Sequence, residues 1–73
     1  MRTPLRNFYN QIIGWIEEDA QGNQIGKDFY LRIVGRYRKD LNVTEDFYHR
    51  IVGRGNLLAS LIQQADDKNR NNK

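Results

Sequence analysis

The sequence has no cysteine, one histidine (His49) and one proline (Pro4) among its 73 residues. Without cysteine there is no disulfide and no thiolate zinc site. One imidazole makes no metal centre unless several carboxylates converge on it. No apolar run approaches the ~20 residues that a membrane-crossing helix requires, and the start Met1-Arg2-Thr3-Pro4 lacks the apolar stretch of a secretory leader. These absences predict a soluble, cytoplasmic protein that makes no use of a membrane. Dinucleotide, nucleotide-phosphate and nucleophile-elbow motifs are missing as well. The acids Glu17-Glu18-Asp19 adjoin Gln21-Gly22-Asn23 and form a solvated turn, where nothing drives paired carboxylates to different pKa values. The expectation is a protein that is not an enzyme, with no catalytic residue, no metal and no cofactor.

A chain of this length is one small domain, and it buries only roughly 60% of the surface its unfolded form exposes. Domains this small are commonly helped by disulfides, metals or oligomerisation. With the first two set aside, self-association is the aid left. The formal net charge of +3 permits an acidic partner without requiring one. Residues 1–63 carry the domain. Residues 64–73 are polar, rich in asparagine and charge, and are expected to be a disordered tail.

Against this sparse background one pattern stands out. Asn7-Phe8-Tyr9-Asn10-Gln11-Ile12-Ile13-Gly14 returns as Asp28-Phe29-Tyr30-Leu31-Arg32-Ile33-Val34-Gly35 and again as Asp46-Phe47-Tyr48-His49-Arg50-Ile51-Val52-Gly53. An internal repeat governs the fold, and it must be read first. Two foldings compete for the unit. As a helix, it would place Phe and Ile, and Tyr and Val, four apart on one face, with Thr3-Pro4 and Thr44-Glu45-Asp46 as helix starts. As a hairpin, it would turn over a two-residue loop at Asn10-Gln11, Leu31-Arg32 and His49-Arg50. Tyr9 would then pair with Ile12 and Phe8 with Ile13, a favourable aromatic–aliphatic arrangement. Asn7, Asp28 and Asp46 would each face the glycine of their own unit.

The recurrent glycine costs ~1 kcal/mol inside a helix, and every core position is a strong β-former. The hairpin reading is preferred. The expected fold is all-β: three consecutive short hairpins in a small meander or barrel-like sheet, with Leu57–Gln63 as a last strand or a short helix. The alternative is all-α, with three short helices. On these residues the chain resembles small bacterial β-hairpin-repeat proteins, an architecture sometimes called a β-flower, whose units have the form Tyr-Asp-x-x-Gly-x-x-Ile-Gly. The resemblance covers about residues 7–55 and implies an all-β fold with no established activity. The turn glycine of that pattern is replaced here by Asn10, Leu31 and His49.

Function is sought where the copies differ. Arg32 and Arg36 recur at matched positions as Arg50 and Arg54, and with Arg38 they interleave with tyrosines, Tyr37 among them. On a sheet, arginine beside exposed aromatics can hold phosphates and stack bases. Counted by strict alternation, Arg36 and Arg38 share a face with Val34, and Tyr37 shares the other with Ile33. The plainer reading puts the aromatics in the core and leaves the arginines as surface cover. Trp15 stands in the slot that Arg36 and Arg54 occupy, and Trp, Tyr and Arg are enriched at binding hot spots. The expected function is a non-catalytic interaction or structural module that associates with itself or a protein partner. The alternative is a small RNA- or single-stranded-DNA-binding protein. The candidate contact residues are Trp15, Arg32, Arg36, Tyr37, Arg38, Arg50 and Arg54.

Overall fold

A computed structural model describes residues 2–71. It contains strands β1 (Arg2–Arg6), β2 (Ile12–Glu18), β3 (Gln24–Asp28), β4 (Ile33–Arg38), β5 (Val43–Asp46) and β6 (Ile51–Arg54), followed by helix α1 (Leu58–Asn71). The six strands form one antiparallel sheet in chain order. It is a meander of hairpins with β1 and β6 as open edges, so it does not close as a barrel. The all-α alternative finds no support. The apolar stretch from Leu57 enters a helix, and that helix continues through Asn71. This corrects the expected tail: residues 64–71 are helical, and Asp66 is buried. Asn72 and Lys73 lie outside the described residues.

The hairpins are where they were expected, but their loops are not. In the first copy the Asn7 N–H donates to the Gln11 carbonyl at 2.9 Å and the Asn10 N–H to the Asn7 carbonyl at 3.0 Å. Asn7 Oδ1 accepts from the N–H of Tyr9 at 2.8 Å and of Gln11 at 3.1 Å. The same bonds recur from Asp28 and Asp46. The loop is therefore Phe-Tyr-x, a three-residue connection whose last member turns left-handed. That member has φ of 63° at Asn10, 66° at Leu31 and 65° at His49. A short polar side chain that collects two loop N–H groups decides the matter, and it outweighs aromatic–aliphatic pairs worth ~0.2–1 kcal/mol. The proposed pairs Tyr9–Ile12 and Phe8–Ile13 do not form. A fourth turn, Asp19 to Asn23, is built the same way, with Gly22 at the left-handed position.

Each unit also carries a bulge. Leu5 pairs with Gly14 and Arg6 with Ile12, so Ile13 is left over; Val34 and Val52 are skipped likewise. A bulge resets the in–out alternation, and the faces counted from the sequence shift with it. Asp28 and Asp46 do face repeat glycines, but those of the neighbouring hairpin: Gly14 with Asp28, Gly35 with Asp46.

The glycine's purpose is the helix. Helix α1 lies across β2, β3 and β4, and Leu58 and Ile62 are buried against the sheet, with Ile13 also in the core. A methyl group on Gly35 would stand 2.6 Å from Leu61 Cδ1 and 2.6 Å from the Glu45 carbonyl oxygen. On Gly14 it would overlap Ile62 and the Lys27 carbonyl. Thr44 secures the approach to the helix: its hydroxyl donates to the Gly55 carbonyl at 2.6 Å and accepts the Leu57 N–H at 2.9 Å. Asn56 Oδ1 then takes the Leu58 N–H at 3.2 Å, satisfying one of the helix's free donors.

Candidate interaction surface

In a meander the turns alternate ends, so the β1–β2, β3–β4 and β5–β6 turns emerge together at one end of the sheet. These are the three Phe-Tyr loops. Their rings stand in solvent, from 55% exposed at Phe29 to 96% at Phe8. Within each pair the rings meet edge to face, at centroid separations of 5.6, 5.5 and 5.3 Å along the chain. Leu31, Ile51 and Val52 are also exposed and extend the apolar surface around the second and third turns. Contiguous exposed apolar patches are a common feature of interaction sites in general.

Charge is added in register. The Arg32 guanidinium lies 5.3 Å from the Tyr30 ring and Arg50 is 5.3 Å from Tyr48, a favourable cation–π placement. Both arginines are held from below, Arg32 by Asp28 at 2.8 Å and Arg50 by Asp46 at 3.2 Å. The Asp46 carboxyl is kept below the usual carboxylate range, first by the Arg50 backbone N–H, against a desolvation that works the other way, and then by the Tyr48 N–H and the Arg50 charge. The first copy has Gln11 where the others have arginine.

Clefts open between successive tips. One, of about 600 Å³, has Ile12 and Gln11 on one side, Phe29 and Tyr30 on the other, and Arg6 and Asp66 at its rim. The other, of about 610 Å³, sets Ile33 and Val34 against Phe47 and Tyr48, with Arg32 and Lys68 beside them. The two are nearly equal in size and are made from equivalent parts of consecutive copies.

The residues singled out from the sequence separate into three places. Arg32 and Arg50 belong to the row of tips. Trp15, Arg36, Arg38 and Arg54 lie on the sheet face away from the helix. There Trp15 pairs with Lys27 and Pro4, Arg36 with Ile25 and Glu45, Arg38 with Val43, and Val43 with Arg54. Tyr37 is on the helix side, opposite Gln24 and Thr44, and its hydroxyl donates to Asn42 Oδ1 at 2.8 Å. Tyr37 and the pair Arg36, Arg38 are thus on opposite faces, as alternation along the strand requires. On the far face Arg2 sits 5.8 Å from the Trp15 ring, and Arg38 reaches Glu45 at 3.8 Å and Asp40 at 3.9 Å. Glu17 binds Arg2 at 2.9 Å and Lys27 at 3.0 Å, and Lys27 chiefly holds its pKa down. Among the described residues Trp15 Nε1 and Arg36 Nη1 find no hydrogen-bond partner, and both atoms are buried.

The aromatic pairs themselves were missed as a surface. The available signal was the slot holding Asn10, Leu31 or His49: a position so tolerant of residue type is exposed, and the aromatics beside it share its loop. Comparison with protein-family models, with curated proteins and with solved structures gives no match. Among the described residues no helix is long and apolar enough to cross a membrane.

Proposed function

We propose that the chain is a non-catalytic interaction module whose contact surface is the row of Phe-Tyr turn tips. The carrying observation is the exposure of all six rings on rigid, hydrogen-bonded turns at one end of the sheet. Aromatic and arginine side chains in that combination are the usual anchors of binding surfaces, and turns fixed before contact lower the entropic cost of binding. The reading as a β-hairpin repeat of the β-flower kind is supported by the left-handed residue of each Phe-Tyr turn, which sits where that pattern has glycine. Self-association has a separate basis. Edge β1 carries Pro4, which has no N–H to offer, between Arg2 and Arg6, a blunted edge. Edge β6 has no proline and leaves Ile51 and Val52 exposed, with Arg54 as the charge on the strand.

One observation favours a second reading, single-stranded nucleic acid: arginine lies over tyrosine in two of the three copies. Binding of that kind weakens steeply with salt. The discriminating experiment follows amide and aromatic NMR shifts during dilution and during titration with a random oligonucleotide pool and with a mixed peptide library. The row reading expects perturbation centred on residues 7–11, 28–32 and 46–50. Perturbation confined to Trp15, Arg36 and Arg38 would move the contact surface to the far face.

A further inference from the structure

We propose that the two clefts between successive turn tips receive one peptide in the polyproline II conformation, with a proline in each cleft. This rests on the row being the contact surface and names its partner. The first argument is the period. Neighbouring strands lie ~4.8 Å apart, so alternate hairpins of a sheet repeat at about 10 Å at the base of their turns. A polyproline II helix has three residues per turn and rises ~3.1 Å per residue, so the same face recurs every ~9.3 Å. An extended β-strand brings its same-face residues back at ~6.7 Å and turns every third residue away. Of these two peptide conformations, only the polyproline II helix returns a same-face residue at the spacing of the clefts.

The second argument is chemical. Each cleft sets an aliphatic side against an edge-to-face Phe-Tyr pair: Ile12 against Phe29-Tyr30, and Ile33-Val34 against Phe47-Tyr48. Aromatic-lined grooves of this sort take proline rings, whose conformation is set before binding. The peptide's backbone carbonyls have no partners of their own in this conformation. Tyrosine hydroxyls can donate to them, and those of Tyr30 and Tyr48 stand on exposed side chains at the cleft walls. Lys68 at the rim of the second cleft favours a peptide with a carboxylate beyond its second proline.

The test uses the full chain and two synthetic peptides of equal composition, with a glutamate at the C-terminal end. One has prolines three residues apart, the other four. The first is expected to shift the resonances of both clefts and to bind at least about tenfold more tightly than the second. Tyr30→Ala and Tyr48→Ala, at exposed positions that leave the core intact, are each expected to weaken it at least about tenfold. Equal binding of the two peptides, or none at all, overturns the proposal. If the tips respond instead to a single-stranded oligonucleotide or to dilution, the peptide falls and the row stands. If they respond to nothing offered, both fall.

Discussion

Asp28 holds a whole turn on one carboxylate: Oδ1 accepts from the N–H of Tyr30 and of Arg32, each at 2.9 Å, and Oδ2 receives the Arg32 guanidinium at 2.8 Å. Replacing it with alanine strands two loop donors, and Asp28→Ala is expected to lose about 2–3 kcal/mol in denaturant unfolding. Leu31 presents the opposite case. A leucine at φ 66° sits in a region that disfavours side chains with a Cβ, at a cost of ~1 kcal/mol. Leu31→Gly is therefore expected to raise the thermal midpoint, whereas the same change at an ordinary strand position lowers it. Strain retained at the loop tips also fits their use in binding. Asp46 supplies a pH signature. Its folded-state pKa is depressed, so its contribution is complete above the ordinary carboxylate value of ~3.9 and is lost as pH falls below that and through the depressed value. Thermal midpoints measured from pH 5 downward are expected to fall less steeply for Asp46→Asn, which keeps the acceptor oxygen without the titration.

At the scale of elements, the sheet and helix meet because the repeat's glycines leave room. Gly35→Ala would force its methyl group against both Leu61 and the Glu45 backbone, and a backbone cannot step aside as a side-chain tip can. Gly53→Ala meets only Leu57 Cδ1 at 2.7 Å. Calorimetry should therefore show a much larger loss for Gly35→Ala, above about 2 kcal/mol, than for Gly53→Ala. The run Leu57–Ile62 left a last element open between strand and helix, while the strands and the hairpins could be read from β-branched residues and turn signals. The placement of the loops could not. The pattern of aromatics and aliphatics suits pairing across a two-residue loop, and it conceals the asparagine and aspartates that fix a longer one. The bulges at Ile13, Val34 and Val52 leave no mark in an unbroken aliphatic run, so faces counted by strict alternation were displaced. The rings of the Phe-Tyr turns, which the plainer reading places in the core, are exposed instead. Within β4 itself the alternation holds beyond the bulge, with Tyr37 on the opposite face from Arg36 and Arg38.

For the molecule as a whole, one sheet serves two purposes. Its glycine-lined face holds the helix, and its turn end holds the aromatic row, so the stabilising contacts and the exposed ones are kept apart. Self-association through the β6 edge, proposed above, is a separate expectation. Sedimentation of the wild type should show mass rising with concentration, and Ile51→Lys, which puts a charge on that edge, should reduce the rise without unfolding the chain. The separation of core from row is tested most directly by the effect of a soluble gadolinium chelate on proton relaxation in a dilute sample. The structure predicts strong relaxation of the ring protons of Phe8, Tyr9, Phe29, Tyr30, Phe47 and Tyr48, with the methyl groups of Ile13, Leu58 and Ile62 shielded. Rings as shielded as those methyl groups would return the aromatics to the core and contradict the row.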